Sequence, residues 1–300
     1  MDKLSTPPII IIGMHRSGTS MLSRLLEKAG IFMGNDKEIN NESLFFLNFN
    51  RWIFRSVGAN WDNPYNFNFI DETFKDIVEY FARLHLKSLR VKDYLGRRKF
   101  IKYRTIFNID FPWGWKDPRN TFTLEIWLRI FPNAKILHIY RHPIDVAESL
   151  RKRSKKNTKL IPRLTKKEKV KFFLNSYESF DFRYCPSLRV LNLEEGVALY
   201  KDYVSKAFLY NDVLDKDKIL HFKYETLLEN PYDTLKMIFG FLEIQVDEEL
   251  LVDLTKHIDP SRSLAFRYNK ELKRFNEQLL KNNIDYFNLL KKLNYIQKIL

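Results

Sequence analysis

Three hundred residues, 45% hydrophobic and 15% aromatic, supply the core of one large α/β domain or two small ones, and nine glycines without any low-complexity tract exclude a linker-rich or disordered chain. The one cysteine, Cys185, excludes an intrachain disulfide and fits a reducing compartment, while no stretch approaches the ~20 apolar residues of a membrane span. The net charge of +14 is uneven: Arg151 to Lys171 holds eleven Lys or Arg against one acid, Glu168, which suggests an acidic partner such as a polyanionic substrate, nucleic acid or an anionic membrane surface.

The opening MDKLSTPP lacks the apolar core of a signal peptide, so a soluble, cytoplasmic chain is expected. Pro8 to Leu22 then reads as a buried strand of four isoleucines, a tight polar loop and the start of a helix. Such a loop aims backbone N–H groups, a helix dipole and small hydroxyls at one point, which binds a tetrahedral anion. Gly13 and Gly18 have the G-x-x-x-x-G spacing of a nucleotide-binding P-loop, but Thr19 and Ser20 follow where that motif has Lys and Ser/Thr. The cation is Arg16, inside the loop.

The first helix runs from Thr19 to Ala29 with Gly30 ending it, followed by a polar loop at 34–38. Helical periodicity returns at Ser43 to Val57 and at Asp71 to Val91, with a turn at Trp61–Pro64. A short strand is expected near Phe111 to Lys116, a helix at Thr121 to Phe131, and a buried parallel strand at Lys135 to Tyr140. A helix opens at Pro143, and the basic stretch leads into another at Thr165 to Phe180. Leu188 to Leu193 reads as a strand, Glu194 to Val213 as a long helix and Lys218 to Phe222 as the last strand, before helices that include a C-terminal extension over about 256–300. Strands alternating with helices predict a single α/β domain over 1–300, with a central parallel sheet flanked by helices in a P-loop-like three-layer sandwich. Ligands of such sheets sit at the carboxyl ends of the strands.

Four polar clusters fall at those ends: His15-Arg16-Ser17-Gly18-Thr19-Ser20, Lys116-Asp117-Pro118-Arg119, Arg141 with Ser149, and Tyr224-Glu225. Arg141 and Ser149, two helical turns apart, can share one phosphate, while the Arg16 loop holds a second anion some distance away. Two anion points bridged by a nucleoside describe a nucleotide with 5′ and 3′ phosphates. The strand KILHIY ends in Arg141 where a Mg²⁺-dependent triphosphatase has a carboxylate, and the histidines show no ligand spacing, so no metal is expected.

HRSGTS together with RHPIDVAES resembles the sulfotransferases that use 3′-phosphoadenosine 5′-phosphosulfate (PAPS), a likeness extending from Pro8 to Tyr268. The resemblance implies that Arg16-Ser17-Gly18-Thr19-Ser20 hold the 5′-phosphosulfate, with His15 in the same loop. It implies that Arg141 and Ser149 hold the 3′-phosphate and that Tyr224 lies near the adenine. The run Trp115 to Arg119 is similar to a K-D-P segment whose lysine, here Lys116, contacts the transferring sulfuryl group. The implied activity is metal-independent transfer of a sulfuryl group to a hydroxyl or amine, with an acidic or polar glycan or glycolipid as the expected acceptor and no nucleic acid. Three carboxylates are base candidates: Asp36, in the loop where tyrosylprotein sulfotransferases carry a glutamate, then Glu42, then Asp117, where cytosolic members carry a histidine. A P-loop kinase or NTPase and a non-catalytic polyanion-binding module are the alternative readings.

Overall fold

A computed structural model describes residues 6–158, 170, 187–256 and 258–296. Four strands form one sheet: β1 (Ile9–Ile12), β2 (Gly114–Lys116), β3 (Lys135–Tyr140) and β4 (Ile219–Lys223). They lie in the order β2-β1-β3-β4, all parallel, with Ile9 opposite Gly114 and Lys135, and His138 opposite His221. β1 is apolar on both faces because both faces are covered. Ile10 and Ile12 point into one core, Ile9 and Ile11 into the other, and β3 divides Ile136 and Tyr140 from Leu137 and Ile139 in the same way.

The first core is aromatic. It is built by α2 (Leu44–Ser56), α3 (Glu72–Lys87), α4 (Val91–Tyr103), α5 (Asn120–Ile130) and α7 (Leu193–Leu209). Phe46 stacks on Trp115 at 4.0 Å, and Trp127 meets both rings at an angle. The second core lies under α1 (Thr19–Lys28), α8 (Tyr224–Glu229), α9 (Pro231–Leu242) and α10 (Glu248–Thr255). The expected three layers are therefore present. α6 (Pro143–Thr158) carries a third cluster, in which Ile144 and Ala147 meet Phe266, Leu272 and Leu290 of the C-terminal stretch containing α11 (Lys270–Asn282) and α12 (Ile284–Lys292).

Several expectations need correction. Residues 188–193 are not a strand: Arg189–Leu191 make one 3₁₀ turn with only Val190 buried, and Asn192 caps α7 by accepting from the Glu194 and Glu195 amides. Leu188 is left to solvent and Leu191 and Leu193 are only partly buried, so the segment offers no run of buried residues to a sheet. The helix expected to reach Val91 stops at Lys87, and α4 begins at Val91. That helix is kinked at Gly96 (φ 73°), which hides its periodicity in the sequence. The expected helix at 165–180 and Cys185 lie outside the described residues, apart from Val170. No helix among the described residues is long and apolar enough to cross a membrane.

Candidate active site

The carboxyl ends of the four strands open on one cleft. Between β1 and α1 the loop turns on Gly13 (φ 135°) and Gly18 (φ 102°), with Arg16 also left-handed (φ 72°). A Cβ at Gly13 would come within 2.4 Å of the Ile139 carbonyl oxygen of β3, and one at Gly18 within 2.3 Å of the Tyr224 ring. The glycines thus let the loop lie flat against β3 and α8. Gly18 caps α1 without a side chain, so the first N–H groups of the helix keep their bonding capacity for a ligand. Ser17 Oγ is buried with no partner, and Ser20 Oγ donates to the Asn40 carbonyl at 2.7 Å.

Arg16, Arg24, Lys116, Arg141, Arg153 and Arg262 line the cleft, against the single carboxylate of Glu42; His15, Gly18, Thr19, Ser20, Ser149 and Tyr224 complete much of the wall. This imbalance shows in the titration of the cations themselves. Burial first, and then Arg141 and Arg262, lower the pKa of Arg16; burial and then Arg16 lower that of Arg153. His15 stays neutral at physiological pH because burial, and then Arg119, Arg153, Lys116 and Arg16, push its pKa well down. Its ring stands edge-on to Trp61 at 4.9 Å, and the Arg153 guanidinium lies 5.0 Å from the centre of the Trp61 ring.

Residues assigned to the two anion points are in direct contact. Arg16 Nε donates to Ser149 Oγ at 2.9 Å, so the loop arginine reaches the serine assigned to the other point. Arg141 stacks over the Tyr224 ring (4.8 Å), donates to the Arg262 carbonyl (3.1 Å) and pairs with Asp145 (3.3 Å), while its Nε is buried without a partner. Tyr224 thus packs against both Gly18 and Arg141.

The three base candidates fall in different surroundings. Glu42 lines the cleft, and its Oε1 accepts from Lys116 Nζ at 2.9 Å, both side chains being almost wholly buried. Asp36 does not line it: Asp36 accepts from Ser43 Oγ and the Phe45 amide, both at 2.8 Å, and so caps α2. Burial raises its pKa against those two hydrogen bonds. Asp117 is fully buried, accepting from Asn50 Nδ2 (2.9 Å) and from the Arg119 amide and guanidinium (3.0 and 3.1 Å), and burial raises its pKa against the nearby Arg119. Arg119 in turn lies 3.9 Å from Glu42.

Sequence reasoning missed Arg24, Arg153, Arg262 and Asn40. Helical spacing held a signal for the first two, since Arg24 lies four residues after Ser20 on α1 and Arg153 four after Ser149 on α6. Arg262 comes from a 3₁₀ turn at Pro260–Arg262, more than a hundred residues beyond α6, and no local pattern marks it.

The fold is a P-loop-like α/β sandwich, and the cleft at its strand ends gathers six cations. A family model described as "Sulfotransferase family" matches residues 7–248, and the chain belongs to that family, in line with the resemblance of HRSGTS and RHPIDVAES to the PAPS-dependent enzymes. Similar solved structures include the sulfotransferase domain of the Synechococcus PCC 7002 olefin synthase, at 17% identity over 86% of this chain and 82% of that one, TM-score 0.46. Another is the sulfotransferase domain from the curacin biosynthetic pathway, at 19% identity over 92% and 98%, TM-score 0.46. A mouse sulfotransferase complexed with PAP aligns at 17% identity over 88% and 65%, TM-score 0.43. No curated protein matches the sequence.

Proposed function

We propose that the chain moves the sulfuryl group of PAPS to a hydroxyl or amine of a polar acceptor, a carbohydrate or glycolipid, with Glu42 as the base. The observation that carries this reading is the composition of the cleft: six cations share it with one carboxylate, and that carboxylate is bonded to Lys116. The donor is a polyanion, and the unpartnered Ser17 Oγ and Arg141 Nε are groups that it would satisfy. The loop amides and the Thr19 and Ser20 side chains suit the 5′-phosphate, and Arg141 with Ser149 suits the 3′-phosphate.

In the transfer, the acceptor oxygen or nitrogen bonds to sulfur while the bond from sulfur to the 5′-phosphate oxygen breaks. The acceptor proton passes to Glu42, and the products are the sulfated acceptor and adenosine 3′,5′-bisphosphate. Lys116 and Arg16 neutralise the charge that builds on the departing oxygen and on the sulfuryl oxygens. A pre-aligned cleft supplies most of the remaining acceleration by positioning. Met21, Pro118 and Tyr224 are the principal apolar contributors to a wall of charged and polar groups, which favours a hydrated acceptor over an apolar one.

The test is a calorimetric titration with adenosine 3′,5′-bisphosphate against Mg·ATP, followed by turnover of Glu42→Gln. The bisphosphate is expected to bind preferentially. The variant is expected to keep that affinity and to lose roughly 10²–10⁴ in kcat. Preference for Mg·ATP would turn the reading towards a kinase, and normal turnover by Glu42→Gln would remove Glu42 from the role of base.

A further inference from the structure

The charge concentrated at Arg151–Lys171 is matched by a second run that the cleft does not use. From Lys87 to Arg104 the sequence KSLRVKDYLGRRKFIKYR holds eight Lys or Arg and one acid, Asp93, a net charge of +7 in eighteen residues. All eight cations are exposed, and Leu89 and Ile101 stand out among them at 82% and 67% exposure. The run includes α4 and the turn that joins it to α3.

The neighbouring face of α3 is apolar where a surface helix is expected to be polar. Ile77, Tyr80, Phe81 and Leu84 follow the i, i+3, i+4, i+7 spacing of a single stripe, and each is about half exposed. Trp52 of α2 extends the stripe, meeting Phe81 edge-on at 5.6 Å with 38% of its own surface open. Leu44 and Asn48, two turns and one turn before Trp52 on α2, share a recess with Arg90, Lys92 and Arg97. None of these three cations has an ion-pair partner among the described residues, and the acids of the recess are Asp93 and the cap residue Asp36.

We infer that the α2–α3–α4 face docks on an anionic lipid surface. Aromatic and aliphatic side chains flanked by Lys and Arg match the two layers of a bilayer interface, acyl boundary and charged headgroup. Charge complementarity selects this occupant over a second copy of the chain. Two copies at +14 each repel, and pairing this face with itself brings basic flanks together, whereas anionic headgroups neutralise them. The surface is separate from the cleft and makes no use of donor chemistry, so the inference goes beyond the proposed transfer and stands or falls independently of it.

The test is co-sedimentation of the full chain with vesicles of phosphatidylcholine alone and with one-fifth phosphatidylglycerol. The chain is expected to partition onto the anionic vesicles only, and to be released by salt. The triple change Arg90→Ser, Lys92→Ser, Arg97→Ser is expected to lower the partition coefficient roughly a hundredfold. Trp52→Ser with Phe81→Ser and Leu84→Ser is expected to lower it about tenfold or more. Both variants should keep the parent's circular-dichroism spectrum and thermal midpoint, which shows that they are folded. Three results would overturn the inference: no partition onto anionic vesicles, partition that survives both sets of changes, or light scattering that shows a dimer dissolved by the apolar set.

Discussion

At the scale of single residues, Asp36 and Glu42 show how two acids six residues apart acquire different work. Asp36 has both oxygens engaged in holding the start of α2, so its carboxylate is committed to structure. Asp36→Ala is expected to cost about 1 kcal/mol of stability, the usual value of a helix cap, while leaving kcat within a factor of a few. Denaturant unfolding and turnover measured on one preparation check it; a large loss of kcat with unchanged stability would return Asp36 to the list of bases. The sequence could not separate the two. Both sit in one polar loop, and the order among them came from likeness to other sulfotransferases, whereas the contact that distinguishes Glu42 is with Lys116, seventy-four residues away. The loop residues were legible for the opposite reason: Gly13, Arg16 and Gly18 lie within six residues of one another, and their spacing alone specifies the turn.

At the scale of elements, the Arg141 side of the cleft depends on how the C-terminal stretch is tied to α6. Asp145, in the first turn of α6, accepts from the Phe266 amide at 2.8 Å through Oδ1 and faces Arg141 at 3.3 Å through Oδ2. Arg262, from the same stretch, receives a hydrogen bond from Arg141 at its carbonyl. Asp145 is thus a positioning residue: one oxygen anchors the segment that brings Arg262, the other orients Arg141. Asp145→Asn keeps an acceptor for Phe266 and removes the charge beside Arg141. Its affinity for adenosine 3′,5′-bisphosphate is expected to fall about tenfold, with adenosine 5′-phosphate, which lacks the 3′ group, bound as before. Equal weakening for both nucleotides would show general loosening of the cleft instead. Strands β1 and β3 were readable because four and six apolar residues in a row have few other fates. The turn at 189–191 misled for a related reason, since short mixed apolar runs carry no period that separates a strand from a 3₁₀ turn.

At the scale of the whole molecule, the histidines make folding pH-dependent. Burial lowers His85 and His221 to about 4 and His142 to about 3, and carries His15 and His138 well below the ordinary value. His138 and His221 face each other across β3 and β4 with Nδ1 atoms 2.7 Å apart, so a proton on both would set two N–H groups head to head. The unfolded chain titrates these imidazoles near 6.5. Above that pH neither state is protonated and stability is complete. Below it the unfolded chain takes up protons that the folded one refuses, so stability falls as pH drops from 6.5 towards 4. One unit into that window each buried imidazole costs about 1.4 kcal/mol. Buried carboxyls such as Asp117 and Glu225, which burial raises, work in the opposite sense and offset part of that loss. The urea midpoint is therefore expected to be clearly lower at pH 5.5 than at pH 7.5, by an amount equivalent to several kcal/mol. An equal or higher midpoint at pH 5.5 would mean that the histidines accept protons in the folded protein, and that the packing around the β3–β4 pair is looser than its 2.7 Å contact implies.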